Sequence, residues 1–258
     1  MNAPVLVTGG TGTLGSLVVP LLREAGHEVR LLTRGSRPAP EGLAHVRADL
    51  RTGEGIDPAL EGVGTVLHLA GGPKGDDVAT RNLVAAAERA GVGHLLLISV
   101  VAADRVPLGY FRAKLGAERA VQESAVPWTV LRAAQFHDLA LTAVRALAKA
   151  PLVPVPGLRW ESVDARDVAE RLAALAAGGP AGRVADLAGP EVLPMADLLR
   201  TYLEARGVRR PTVPLRIPGA AGRAYRAGEN LAGPDADRGT RTWAAFLAEH
   251  LGAVSSRR

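Results

Sequence analysis

Residues 5–22 read VLVTGGTGTLGSLVVPLL. Val5–Thr8 is a short apolar, β-branched run of the kind that forms a buried strand. Gly9, Gly12 and Gly15 form G-x-x-G-x-x-G, and Gly10, Gly12 and Gly15 also satisfy G-x-G-x-x-G. An amphipathic helical pattern opens at Thr13. Glycines between a strand and a helix permit a tight turn and let the backbone approach a pyrophosphate. The helix N-terminus then supplies unpaired N–H groups and a partial positive charge. The stretch therefore predicts a dinucleotide site built from Gly9, Gly10, Thr11, Gly12, Thr13, Leu14 and Gly15.

Outward from this turn, short Val- and Leu-rich runs alternate with helical patterns. Strands are expected at Val5–Thr8, Val29–Thr33, Ala44–Ala48, Thr65–Ala70, His94–Ser99 and Thr129–Leu131. Helices are expected near residues 13–25, 76–90, 110–125 and 136–149. Runs such as LLLIS are apolar at consecutive positions, which implies burial on both faces and a parallel sheet. The alternation predicts an α/β fold with a doubly wound parallel sheet.

Pro151, Pro154, Pro156 and Gly157 break the pattern. Beyond them the expected elements are a helix near Ala165–Ala177 capped by Asp164, a strand near Arg183–Leu187, and helices near Met195–Arg206 and Thr240–His250. The reading is a dinucleotide-binding core over 1–150 and a small C-terminal lobe over 151–258. The lobe is expected to complete the sheet and cover the substrate pocket as part of one folding unit.

Composition narrows the function classes. The chain has 258 residues and no cysteine, which excludes disulfides, thiolate nucleophiles and Cys-ligated zinc. Its net charge is +5, but only three of the 31 basic residues are lysines (Lys74, Lys114 and Lys149). The arginines are scattered and not interleaved with aromatic residues, so surface charge rather than nucleic-acid binding is expected. No apolar run approaches the ~20 residues that span a bilayer. The N-terminal MNAPVLVTGG has no basic segment before its strand, which predicts no signal peptide. A soluble cytoplasmic protein, monomeric or homodimeric, with no membrane partner and no metal, is expected.

The end of the second strand bears on cofactor choice. Sites selective for NAD place a carboxylate there for the ribose hydroxyls. Here the segment is LLTRGSRP, with no Asp or Glu between Leu31 and Pro40. Arg34 and Arg37 stand there instead, and guanidinium suits a 2′-phosphate. NADP(H) is the expected cofactor.

With these motifs the chain resembles the short-chain dehydrogenase/reductase superfamily, specifically its NmrA-like, atypical branch, with a Rossmann fold. The TGGTGTLG loop fits. So does Asp49-Leu50 after the third strand, a pair that by this resemblance borders the adenine. TVLHLAGG at 65–72 is similar to the V-x-H-x-A-G/A run of extended members, which implies that Ala70, Gly71 and Gly72 line the cofactor. His68 within that run is expected to be a packed core residue. PWTVLRAAQFHD at 127–138 resembles the branch's sixth strand and the loop beside the nicotinamide, which implies cofactor contacts from Ala133, Gln135 and Phe136. Tyr110 and Lys114 match Y-x-x-x-K, and Ser99 ends the fifth strand.

The Tyr110–Lys114 spacing also carries weight by itself. At about 100° per residue, Tyr110, Lys114, Ala117 and Val121 form one row of a helix, and Arg112, Gly116, Arg119 and Glu123 lie opposite. Lys114 therefore falls on the apolar face, where a decorative cation is out of place. The bland alternative is a surface pair between Lys114 and Glu118, worth a few tenths of a kcal/mol. Reducing a carbonyl with hydride requires a proton for the developing alkoxide, and a nearby ammonium is expected to lower the phenol's pKa. Tyr110 is thus the expected general acid and Lys114 its partner. By the resemblance Lys114 also holds the ribose, and Ser99 orients the carbonyl.

A small-molecule substrate is expected between the carboxyl ends of the strands and the C-terminal lobe, with Phe136, His137 and Trp160 as candidate contacts. The leading reading is an NADPH-dependent oxidoreductase acting on a carbonyl, quinone or related unsaturated compound. The runner-up is a non-catalytic NADP(H)-sensing regulator. An epimerase or dehydratase holding NAD fits less well, since the acid of the second strand is missing.

Overall fold

The structure is a computed structural model that describes residues 3–35, 42–72 and 75–255. In the first half, β1 (Val5–Thr8) leads to α1 (Thr13–Glu24), β2 (Val29–Thr33), β3 (Ala44–Arg47), α2 (Ile56–Leu60) and β4 (Thr65–His68). Then come α3 (Asp76–Ala90), β5 (His94–Val100), α4 (Gly109–Gln122) and β6 (Trp128–Ala133). The second half holds α5 (His137–Leu147), β7 (Val153–Pro156), β8 (Arg159–Trp160), α6 (Ala165–Gly178), β9 (Gly182–Arg183), β10 (Leu187–Ala188) and β11 (Leu193–Pro194). It ends with α7 (Met195–Ala205), β12 (Thr212–Leu215), α8 (Gly219–Ala227), β13 (Asp237–Arg238) and α9 (Trp243–Ser255).

The described residues form two compact units. One is made of the described residues within 1–99, with 109–132 and 168–184, the other of 100–108, 133–167 and the described residues within 185–258. In the first unit the strands lie in the order β6-β5-β4-β1-β2-β3, with β9 on β6. β1 pairs in parallel with both β2 and β4, β2 with β3, and β4 with β5. This is the doubly wound parallel order of a Rossmann sheet. Every residue of β1 and β5 is buried. Side chains alternate between the sheet's faces, and Leu6, Val66, Leu95, Leu97 and Val130 meet Ile56, Leu60, Leu83, Ala117 and Val121 from α2, α3 and α4.

The second unit has a core of its own, in which Ala140, Leu141 and Val144 of α5 pack with Leu198, Leu199 and Leu203 of α7 and Trp243 and Phe246 of α9. Its strands are short: β12 pairs in parallel with β7, β11 runs antiparallel to β8, and Leu187 of β10 registers on Ala133. Asp164 caps α6 as expected, accepting the Arg166 N–H at 2.8 Å. Among the described residues no helix is long and apolar enough to cross a membrane.

Candidate active site

The glycine turn is shaped by close approaches. Gly9 has φ +70°, and a Cβ there would stand 2.7 Å from the Ala70 nitrogen at the end of β4. A Cβ on Gly15 would strike the Gly9 carbonyl oxygen and stand 2.5 Å from Gly10 Cα. The Gly12 N–H closes the turn on the Gly9 carbonyl at 3.0 Å. α1 then starts at Thr13 with no side-chain cap and no acidic residue in its first turn. A backbone cradle that side chains would fill, beneath an uncapped helix N-terminus, fits a pyrophosphate.

A buried relay ties this turn to α3. The Ala70 N–H donates to Thr8 Oγ1 at 3.1 Å, and Thr8 Oγ1 lies 2.7 Å from His68 Nδ1. His68 Nε2 lies 3.1 Å from Thr80 Oγ1, whose proton goes to the Asp76 carbonyl at 2.7 Å. Since Thr80 spends its proton on a carbonyl, His68 Nε2 must be the donor to it. Nδ1 then accepts from Thr8. The ring is neutral, its pKa lowered to about 3 by burial and secondarily by Lys114. His68 is a packed core residue, as expected from its place in the strand.

The relay delivers Asp76 to the centre of the site. Asp76 Oδ1 accepts the Gly72 N–H at 2.7 Å, and Asp76 Oδ2 stands 3.0 Å from Lys114 Nζ. That second contact is an ion pair without hydrogen-bond alignment, since Oδ2 has no hydrogen-bond partner. Lys114 Nζ also packs on the backbone, 2.8 Å from where a Cβ of Gly71 would be. Asp76 and Lys114 are both buried. One helical turn before Lys114, Tyr110 is half-buried, and its hydroxyl has no hydrogen-bond partner among the described residues.

The electrostatics differ from the expectation that Lys114 lowers the phenol's pKa. Burial first, and then the Asp76 carboxylate, push Tyr110 up to about 12. Asp76 offsets the ammonium charge, and desolvation favours the neutral phenol. Asp76 was not found by sequence reasoning, because its meaning lies in a contact between α3 and α4 that no spacing encodes.

Ser99 is tied into the interior by its hydroxyl. Its hydroxyl donates to Glu118 Oε1 at 2.5 Å, and the Glu118 carboxylate takes a bidentate pair from Arg132 Nε and Nη2, both at 2.7 Å. All three are buried, Glu118 to 1% exposure. The expectation that Ser99 orients a carbonyl gives way to a structural tie between β5, α4 and β6. Glu118, whose surface pairing with Lys114 was the bland alternative to a functional lysine, belongs to the interior.

The remaining first-unit candidates divide by environment. Asp49 Oδ1 accepts the Arg51 N–H at 2.8 Å in a local turn, and Leu50 belongs to the apolar core. Arg34 is exposed at the end of β2, and Arg37 lies outside the described residues.

In the second unit, Phe136 forms an isolated bridge with Val163, whose N–H donates to the Gln135 carbonyl at 3.0 Å. The Ala133 carbonyl accepts from Val101 at 2.9 Å. His137 is 1% exposed, with Nδ1 2.8 Å from Ser162 Oγ and Nε2 3.0 Å from the Arg241 carbonyl. Both ring nitrogens are used within the unit, so the expected substrate contact from His137 is replaced by a core role. Trp160 is half-buried against the α5–α7–α9 core. Among the described residues no cluster of His, Asp and Glu could hold a metal.

Residues 9–178 match a family described as NAD(P)H-binding. The chain is 34% identical over 204 residues to (4-alkanoyl-5-oxo-2,5-dihydrofuran-3-yl)methyl phosphate reductase of Streptomyces griseus subsp. griseus, covering 73% of this chain and 69% of that one. It is 30% identical over 211 residues to the NAD(P)H azoreductase of Xenophilus azovorans, covering 79% and 74% of the two chains. In fold it is similar to the NADPH-dependent quinone oxidoreductase QOR2 of Escherichia coli, solved with NADPH, at a TM-score of 0.80 and 21% identity over 95% of this chain and 99% of that one.

Proposed function

The chain belongs to the NAD(P)H-binding family, and from that premise we propose that it is a reductase delivering hydride and a proton to a carbonyl, quinone or related unsaturated small molecule. The turn from Gly9 to Gly15 would hold the cofactor's pyrophosphate, with Ala70, Gly71 and Gly72 alongside and Lys114 toward the ribose. Bound NADPH supplies the hydride. Tyr110 supplies the proton from its hydroxyl, beside the Lys114–Asp76 pair. Asp76 is a positioning residue that fixes the lysine between α3 and α4.

The observation that carries this reading is the buried Lys114–Asp76 pair packed on Gly71, with the open hydroxyl of Tyr110 one turn away. A phenol at about 12 keeps its proton throughout the neutral range, so the hydroxyl is present in its acid form. Preference for NADPH over NADH follows from Arg34 and from the lack of an acid between Leu31 and Pro40. The named relatives suggest the acceptors to test: an alkanoyl furanone, an azo dye and a quinone.

Steady-state kinetics with these acceptors and with Tyr110→Phe test the proposal. The variant should lose about 10²–10⁴-fold in kcat while its Kd for NADPH stays within about twofold of the parent's. Unchanged turnover in the variant would remove Tyr110 from the chemistry. Tighter binding of NADH than of NADPH would overturn the cofactor preference.

A further inference from the structure

Between Arg206 and Arg226 the sequence carries six arginines (206, 209, 210, 216, 223 and 226) and no Asp or Glu. None of the six has a carboxylate partner among the described residues. Some other arginines of this unit pair with acids, as Arg166 does with Asp164 and Glu249, and Arg200 with Asp197. A basic stretch left unneutralised is a source of positive potential directed at something outside the chain.

Thr212, Pro214, Tyr225 and Arg226 of this stretch, with Arg226 its one arginine on the lining, form one side of a cavity of about 470 Å³ that lies wholly within the second unit. That volume is in the range of small-molecule sites, roughly 300–1,000 Å³. Its apolar lining comes from Val155, Leu158, Met195 and Pro214. Along β12 side chains alternate, so Thr212 and Pro214 face the cavity while Val213 and Leu215 do not.

The polar lining is cationic. Arg226 lies in the last turn of α8, and its Nη1 donates to the Ile217 carbonyl at 2.9 Å. The Arg159 guanidinium lies against Gly228, the C-cap of α8, 2.6 Å from where a Cβ would stand. The partial negative charge at a helix C-terminus favours the Arg159 cation there, while Arg226 reaches back to Ile217 just before α8, so the two guanidiniums stand toward opposite ends of the helix. Tyr225 adds a half-buried phenol, and burial raises its pKa, so it remains a donor. The lining carries no carboxylate beside these cations.

We infer that the second unit binds a small amphipathic anion in this cavity, an alkyl or acyl chain ending in a carboxylate or phosphate. Arg159 and Arg226 flank the lining from the two ends of α8 and supply the charge that attracts the head group, with Val155, Leu158 and Met195 against the chain. This goes beyond the reductase reading and does not rest on it, since the site binds whether or not Tyr110 delivers a proton.

Calorimetric titration of the full-length protein, without cofactor, separates head from tail. Octyl phosphate and octanoate serve as amphipathic anions, with inorganic phosphate and 1-octanol as the separated parts. Each amphipathic anion should bind at least tenfold more tightly than either part, and binding should weaken as ionic strength rises. Preference for one of the two anions identifies the head group. Arg159→Gln and Arg226→Gln should each weaken it about tenfold without affecting 1-octanol. Ala196→Trp, which fills the cavity from the exposed start of α7 and leaves both guanidiniums intact, should abolish binding of all probes. It keeps the test valid if an arginine variant does not fold.

Equal affinity for octyl phosphate and 1-octanol would overturn the inference, as would arginine variants that bind normally or no binding of either anion. Sedimentation with phosphatidylglycerol vesicles, without binding of the soluble anions, would assign the arginines to a membrane surface instead.

Discussion

Burial first, and the Asp76 carboxylate second, set how readily the Tyr110 phenol gives up a proton. The Asp76 carboxylate touches the Lys114 ammonium and the Gly72 N–H at once, and it contributes to holding the phenol near 12. Replacing Asp76 with Asn removes the charge but keeps an oxygen for Gly72. The phenol then loses a destabilising neighbour of its ionised form and gains an uncompensated ammonium, both of which lower its pKa. Asp76→Asn should therefore move the alkaline limb of the kcat/KM profile to lower pH, with less than a tenfold change in turnover at neutral pH. A limb that stays in place would mean that the phenol does not feel this carboxylate. Gly15 offers a second test at this scale. Its Cβ would meet backbone atoms of Gly9 and Gly10, which no side-chain rotation relieves. Gly15→Ala should weaken NADPH binding about tenfold or more, since the cradle must open. A Kd within twofold of the parent's, measured by cofactor fluorescence, would show that the turn is not the binding surface.

In α4 the row read from the sequence is the buried one. Lys114, Ala117 and Val121 are buried and Tyr110 half-buried, whereas Arg112, Arg119 and Glu123 are exposed. Periodicity exposes such a face because it depends only on residues within the helix. Glu118 was not legible in this way. Its partner Arg132 sits on β6, and its other partner, Ser99, on β5, so the reason for burying a carboxylate there is tertiary. The three residues bind β5, α4 and β6 through charge-assisted bonds in a dry setting. Removing Glu118 or Arg132 leaves the opposite charge stranded. Glu118→Ala should cost about 3–5 kcal/mol in denaturant unfolding, and the paired replacement Glu118→Leu with Arg132→Met much less. The exposed pair of Arg89 and Asp57, at 2.6 Å with both side chains more than 60% exposed, is the contrast. Asp57→Asn should change stability by no more than about 1 kcal/mol. A loss of that small size for Glu118→Ala would mean that solvent reaches the buried triad.

Across the whole molecule, legibility followed element length. The first half alternates strands of four to seven residues with helices of up to fifteen, apart from the five-residue α2. Such lengths carry a readable period. The second half relies on two-residue strands such as β8, β10 and β13 and on the Gly- and Ala-rich α8. These take their form from partners distant in sequence, so α8, β7 and β12 were not anticipated. Both units nonetheless share one electrostatic property. His68 and His94 in the first unit and His137 in the second are at most 4% exposed, and burial lowers the pKa of all three. A lowered folded-state pKa means that the unfolded chain takes up protons first as pH falls. Stability is then constant above the ordinary histidine value near 6.5 and declines below it. For His68, whose folded value is about 3, the loss runs over the whole interval from 6.5 down to 3. It approaches about 1.4 kcal/mol per pH unit once the unfolded imidazole is fully charged, and His94 and His137 add slope in the same direction. Urea unfolding at pH 8, 7, 6 and 5 should show equal midpoints at the first two values and a steep fall across the last two. His68→Gln, which keeps one donor and one acceptor for Thr80 and Thr8, should remove up to one proton's worth of that slope. A midpoint unchanged between pH 7 and pH 5 in the parent would show that these rings are charged, or free to become so, in the folded protein.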